Sequence, residues 1–237
     1  MNKQRNRIVR LKQTSVEHVF EKETLLLKQL QSGQLDQCLM LWQTDTPTLV
    51  LPASSKWPDT DELRSELVNN GWKVISRRTG GAPVPQTKGV INLSHMYVWP
   101  KETPYSIPVA YENLCQVLCG FFASYGLSTQ VHATPYSYCD GDYNININQQ
   151  KIVGTAQRVL LKSGGDKVVL AQACILIDDD LNELVKPVNT CYALSGNEER
   201  VKAKVHTCLF DHIDEKPSID NLFQGITQAF IDSELYK

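Results

Sequence analysis

No apolar run in this chain approaches the roughly 20 residues a membrane-spanning helix needs, and the opening MNKQRNRIVRLKQ has no hydrophobic stretch of the signal-peptide kind. A cytoplasmic protein is the expectation. Neither sign of charge is in surplus, with 24 Lys and Arg against 26 Asp and Glu and a formal net charge of −2. Without a cationic field or a basic block, nucleic acid is not an expected partner. Repeats, low-complexity tracts and linkers are missing, which argues against solenoids and flexible arrays. Paired metal-ligand spacings are missing too. The seven cysteines, Cys38, Cys115, Cys119, Cys139, Cys174, Cys191 and Cys208, are an odd number that cannot all pair within one chain, which fits a reducing compartment. Only Cys115 and Cys119 approach a ligand spacing. They sit in the helical pattern YENLCQVLCGFFASYGL with no second Cys/His pair nearby, so no metal is expected.

What is present is a chain of 237 residues, 42% of them hydrophobic, enough to bury one sizeable core. One compact domain over residues 1–237 is the expectation. SVEHVFEKETLLLKQLQSG spaces its apolar residues as a helix, with Ser15 as cap and Gly33 as stop. QCLMLWQ and TLVLP read as strands joined by a turn. DTDELRSELVNNG reads as a second helix capped by Asp59 or Thr60. WKVISR and VINLSHMYVW are strands flanking the turn-rich RRTGGAPVPQTKG, and a helix follows around residues 108 to 125. QVHATPYSYCDGD is loop-like. YNININ, KIVGTAQRVLL and VVLAQACILID form an antiparallel succession, and the tail shows helical signals at VNTCYAL, near NEERVKAKVHTCL and at SIDNLFQGITQAFIDSEL. The fold class is α+β, a mixed or mainly antiparallel sheet with flanking helices.

Three segments are more specialised than connecting loops require. In Arg77-Arg78-Thr79-Gly80-Gly81 two guanidinium groups precede glycines that can expose backbone N–H groups to an anion, although the same residues also make an ordinary solvated turn. In Lys151-Ile152-Val153-Gly154-Thr155-Ala156-Gln157-Arg158 a glycine interrupts a strand, which suits either a ligand pressed against the sheet or a simple kink. In Tyr138-Cys139-Asp140-Gly141-Asp142-Tyr143 a cysteine lies in a glycine-containing loop, where its thiol can be exposed, unlike Cys115, Cys174 and Cys208 in their apolar runs.

Taken together and in this order, RRTGG after a strand, GVINLS, and YCDGDYNININQQKIVGTAQR resemble the biotin/lipoate protein ligase superfamily in its lipoate ligase and octanoyltransferase branch. The resemblance covers most of the chain and is nearest to the cysteine-dependent octanoyl amidotransferases. It implies a lipoate-ligase type of catalytic domain in which Cys139 accepts an acyl group and Lys151 activates and orients. Arg77, Arg78, Thr79, Gly80, Gly81, Gly154 and Thr155 would border the bound acyl group. The implied donor is the glycine cleavage H protein or an acyl carrier protein, and the implied recipient is a lysine of a lipoyl domain, with no cofactor. Two departures bear on this. Ligases usually carry a histidine and an aspartate shortly after the glycine loop, where this chain has Pro85 and Gln86, and the extra C-terminal domain of many ligases is not expected here.

A cysteine relay splits one difficult acyl transfer into two easier steps, and a nearby cation favours the thiolate over the thiol. Arg77, Lys88, Arg158 and Lys162 would form a docking rim for acidic protein partners, or else a scattered soluble surface. Two alternatives stay open: an ATP- and Mg-dependent lipoate ligase in which Cys139 is incidental, and a non-catalytic lipoyl-domain-binding protein.

Overall fold

The computed structural model describes residues 5–78, 80–162, 164–233 and 235. Ten strands and five α-helices lie within them: β1 (Asn6–Thr14), α1 (Val16–Gln31), β2 (Gln37–Thr44), β3 (Thr48–Leu51), α2 (Asp61–Asn69), β4 (Lys73–Ser76), β5 (Val84–Gln86), β6 (Val90–Val98), α3 (Ile107–Ala123), β7 (Gln130–Val131), β8 (Ile145–Ile147), β9 (Gln150–Leu161), β10 (Lys167–Leu176), α4 (Leu181–Leu194) and α5 (Ile219–Asp232). No helix among the described residues is long and apolar enough to cross a membrane.

A seven-stranded sheet runs β1-β2-β6-β10-β9-β8-β7, and a three-stranded sheet runs β4-β3-β5. Every neighbouring pair in the larger sheet is antiparallel except β1 with β2. The expected α+β class therefore holds, although β2 and β3, consecutive in the chain, enter different sheets.

Local chemistry explains the elements. The side chain of Ser15 caps α1 by accepting from the backbone N of His18 at 3.2 Å, and the helix buries Val16, Val19, Glu23, Leu26, Leu27 and Leu30 along one stripe. Thr60 caps α2 in the same way, accepting from Leu63 N at 3.2 Å. Pro108 occupies the first turn of α3, where its missing N–H is not needed.

One face of the large sheet packs Leu39, Leu41, Ile91, Leu93 and Ile175 against α3 and α5; the other packs Cys38, Met40, Met96 and Leu170 against α1. A third cluster joins the small sheet to α2 and α4 and takes in Tyr138. The site lies where the second face meets that cluster.

Two readings of the sequence need correction. A strand, β1, precedes the N-terminal helix; its charged residues Arg7, Arg10 and Lys12 hid it, and they suit an exposed sheet edge that must not pair further. The segment around NEERVKAKVHTCL is not helical beyond a single 3-10 turn at Ala203–Val205. Its backbone is occupied elsewhere, with Lys202 N donating to Tyr136 O at 3.0 Å and Thr207 N donating to Lys151 O at 2.9 Å. Tertiary pairing outweighs the local helical preference.

Candidate active site

The β8–β9 hairpin turns through Asn148 and Gln149, both at positive φ (49° and 66°), as two-residue hairpins of right-handed twist require. The pairing shifts register between Ile145 and Asn146, and Lys151 lies two residues past the turn. This lysine is 0% exposed. Its Nζ donates to the carbonyls of Tyr138 at 2.5 Å and Cys139 at 2.9 Å, and lies 4.6 Å from the centre of the Tyr138 ring. Burial pulls its pKa down from 10.5 to about 8, against the attraction of Cys139, Cys174 and Asp140, which favours the charged form.

Gly154 makes this burial possible. A Cβ there would stand 3.1 Å from both Cε and Nζ of Lys151, so the glycine opens the space the lysine fills.

Cys139 sits in the loop before β8 with φ of 53°, a left-handed conformation that a non-glycine residue holds only when its surroundings impose it. Two donors impose it here: Asn144 Nδ2 and Lys151 Nζ both reach the Cys139 carbonyl, at 3.0 and 2.9 Å. The thiol is half-buried. The glycine loop comes to meet it, since a Cβ on Gly81 would lie 3.9 Å from Cys139 Sγ. Gly81 itself has φ of 113°. Arg77 lashes that loop from within, its Nη2 donating to the carbonyls of Gly80 at 3.0 Å and Ala82 at 3.2 Å.

These residues open onto one cavity on the inner face of the large sheet, bordered by Arg77, Gln86, Cys139, Lys151, Gly154, Thr155, Gln172 and Cys174, with Phe20, Trp42, Val50 and Val84 as apolar walls. Strand register sets its floor. One cross-strand row is Trp42, Asn92, Cys174 and Gly154; the next is Met40, Ser94, Gln172 and Ala156. The two rows are about 7 Å apart along the strands. Gly154 and Ala156 leave the β9 side of the floor low, and polar side chains hold the middle. Gln86, Asn92 and Cys174 close a hydrogen-bonded triangle: Asn92 Nδ2 to Gln86 Oε1 at 2.6 Å, Cys174 Sγ to Asn92 Oδ1 at 2.8 Å, and Gln86 Nε2 to Cys174 Sγ at 3.3 Å.

In the second row, Ser94 Oγ (2.7 Å) and Gln172 Nε2 (2.9 Å) donate to the buried carboxyl of Glu23 from α1. Burial raises the Glu23 pKa, opposed by these two bonds and by the charges of Arg158 and Arg77. Glu23 also borders a wider outer cleft of about 530 Å³ with Arg77, Arg78 and Arg158. Phe20, Arg77 and Gln172 line both spaces and so stand between them.

The structure therefore brings together Cys139, Lys151, Arg77, Gly81, Gly154 and Thr155, although the Thr155 hydroxyl is already given to the Tyr143 carbonyl at 2.7 Å. Arg78 is exposed at the outer cleft, Gly80 faces open space, and Thr79 lies outside the described residues. Of the four residues considered for a docking rim, Arg77 and Arg158 line the same outer cleft, Arg77 also donates within the glycine loop, and Lys162 lies just past the end of β9. Cys174 also needs correction, because it shares the cavity with Cys139 rather than lying inert in a packed strand. Glu23, Gln86, Asn92, Ser94, Gln172 and Tyr138 went unmarked as site residues. A signal was available: VINLSHM and LAQACI each place polar or thiol residues at every second position of a buried strand, which directs one face toward something other than a hydrophobic core.

Residues 15–231 match the family model of the lipoyl protein ligase A/B catalytic domain. The chain is 34% identical over 169 residues to the octanoyl-[GcvH]:protein N-octanoyltransferase of Macrococcus caseolyticus, covering 71% of this chain and 55% of that protein. The protein of the same name from Geobacillus kaustophilus is 32% identical over 127 residues, covering 54% and 44%. The lipoyl-[GcvH]:protein N-lipoyltransferase of Listeria monocytogenes is 29% identical over 148 residues, covering 62% and 51%. The chain thus spans about half the length of the curated relatives it matches. Among solved structures, a lipoate-protein ligase A bound with ATP superposes with a TM-score of 0.75 at 16% identity, over 97% of this chain and 85% of that one. A bipartite lipoate protein ligase from Thermoplasma acidophilum, solved in a study that includes its E2 lipoyl domain, gives 0.65 at 16% identity, over 98% and 84%. At that identity the likeness establishes the fold. The chain belongs to the lipoyl protein ligase A/B catalytic-domain family.

Proposed function

We propose that this family member moves an octanoyl or lipoyl group through a thioester on Cys139 to a lysine of a lipoyl domain. The observation that carries the reading is the joint placement of Cys139 and Lys151 in the lining of one cavity with a low floor and apolar walls. In the first step the Cys139 sulfur attacks the acyl carbonyl of the donor, and the donor's amine leaves with a proton. In the second, the recipient lysine's neutral amine attacks the thioester, the C–S bond breaks as the amide forms, and the proton the amine loses returns to the sulfur as the Cys139 thiol. Lys151 serves both steps. The charge of Cys139 favours the charged form of Lys151, and the ammonium can bear on the oxyanion that develops at the carbonyl. The protein names carried by the relatives favour the glycine cleavage H protein as donor. The chain length selected follows from methylene burial against Phe20, Trp42, Val50 and Val84, at about 0.8 kcal/mol for each buried CH₂.

The test is intact mass spectrometry after incubation with octanoyl-H-protein, octanoyl-acyl-carrier-protein, or octanoate with ATP and Mg. One octanoyl group gained from the H protein alone, released by hydroxylamine, supports a thioester transferase. Uptake that requires ATP assigns the chain to ligation instead, and stable complex formation without transfer from any donor assigns it to binding.

A further inference from the structure

Behind the Cys139 loop lies a histidine that the transfer chemistry does not use. His206 is 1% exposed and belongs to the extended segment between α4 and α5. Its ring stacks on Tyr138, with centroids 4.9 Å apart and planes inclined by 14°. The same tyrosine ring lies beside the Lys151 ammonium, and the same tyrosine carbonyl accepts from it. The backbones are joined as well, because Lys151 and His206 form a parallel bridge and Gln150 Nε2 donates to the carbonyls of Lys204 and His206 at 2.8 and 3.2 Å.

The imidazole has a defined state. Nδ1 lies 3.0 Å from the Lys202 carbonyl, which can only accept, so Nδ1 carries the hydrogen. Nε2 is buried and has no partner among the described residues. Burial, reinforced by the Lys151 charge, lowers the pKa to about 3, so the ring is neutral wherever the thiol chemistry operates. A neutral flat ring can press on Tyr138 without repelling the neighbouring ammonium.

We infer that His206 is a positioning residue for the reacting pair, holding the Tyr138 ring so that the Tyr138 and Cys139 carbonyls stay aimed at Lys151. This rests on the reading of Cys139 and Lys151 as the reacting groups. Tyr138 immediately precedes the left-handed Cys139, so a rotation of its ring and carbonyl carries the nucleophile with it. Misplacing a reacting group by about 1 Å can cost on the order of a hundredfold in rate.

The experiment compares His206→Leu, which fills similar space without a flat ring, with His206→Phe, which restores the stack. Both full-length variants are first checked for wild-type thermal melting; if the leucine variant does not fold, His206→Met takes its place. Two quantities are read: the rate of Cys139 acylation, and the pH profile of Cys139 alkylation by iodoacetamide, located by peptide mapping. The leucine variant should acylate at least about tenfold more slowly and depart from the wild-type alkylation profile, whereas the phenylalanine variant should recover most of both. A folded leucine variant with the wild-type rate and profile overturns the inference, as does a phenylalanine variant damaged as badly as the leucine one. Should no protein, wild type included, take up an acyl group, the transfer reading fails, and the alkylation profiles alone still decide the role of His206.

Discussion

Replacing Lys151 with methionine separates what this residue costs the fold from what it gives the chemistry. Its pKa falls from an ordinary 10.5 to about 8 because the ammonium is buried, a difference of about 3 kcal/mol between folded and unfolded states at 1.36 kcal/mol per pH unit. The unfolded chain binds this proton more tightly, so the cost is fully present below pH 8. It shrinks by about 1.4 kcal/mol per pH unit between 8 and 10.5, and vanishes above that range. Methionine removes the cost but leaves the Tyr138 carbonyl without its Lys151 donor, a loss of about 1–3 kcal/mol, while the Cys139 carbonyl keeps Asn144. At neutral pH the variant should therefore match or slightly exceed the wild type in stability, while acyl transfer falls roughly a hundredfold to a thousandfold.

Urea unfolding followed by tryptophan fluorescence from pH 7 to 10 provides the stability measurement. Buried thiols complicate either curve alone. Cys38, Cys115 and Cys208 are pushed up to about 12 and Cys191 to about 11, so the unfolded chain loses those protons first and stability falls as pH rises above 9. Both proteins share these groups, and the difference between the two curves isolates Lys151. That difference should move toward the wild type as pH rises from 8 to 10. A flat difference would refute the idea of a buried ammonium, and undiminished transfer by the variant would remove Lys151 from the mechanism.

Cys139→Ala should abolish the acyl adduct, whereas Cys174→Ala should keep it while losing about 1–2 kcal/mol of stability from the broken Gln86–Asn92–Cys174 triangle; an adduct mapped to Cys174 would reverse the assignment. Gly81→Val places a side chain at φ of 113° with its Cβ 3.0 Å from Arg77 Nη2, and should impair acyl uptake more than melting temperature; unfolding without any separate effect on uptake would make the loop purely structural. Gly154→Val intrudes on Lys151 at 3.1 Å and should slow acylation by about tenfold or more in a folded protein, so full activity would show that the ammonium has room to move.

Some of this was legible because it depends on near neighbours in sequence. The cap at Thr60, the stripe of α1 and the alternation of YNININ are local patterns, and each formed where the residues placed it. The pairing of Cys139 with Lys151 was legible only through the family resemblance that their two segments carry together. What stayed hidden depends on partners distant in the chain. Glu23 lies 71 residues from Ser94 and 149 from Gln172, and nothing in EKETLLL distinguishes it from the exposed acids beside it. The Val201–Cys208 segment has helical composition, yet it forms only one 3-10 turn because its backbone groups meet Tyr136 and Lys151. The facing of Cys174 depends on strand register, and a shift of one residue would have turned it away from the cavity.

The hidden residues share a physical character that bears on what the cavity is for. A sheet face built only for stability would carry aliphatic side chains at Asn92, Ser94, Gln172 and Cys174, as the opposite face does at Ile91, Leu93, Ala173 and Ile175. It would also avoid a buried ammonium and a buried carboxyl, whose removal from water is costly unless each is well bonded. Both are bonded here, the ammonium to the carbonyls beside Cys139 and the carboxyl to Ser94 and Gln172. Fixed polar groups inside an otherwise apolar enclosure do not have to reorganise when charge develops near them, which is the property acyl transfer requires at its carbonyl end. The costly burial of Lys151 and the left-handed φ of Cys139 thus meet at one site, and the proposed acyl transfer would account for both.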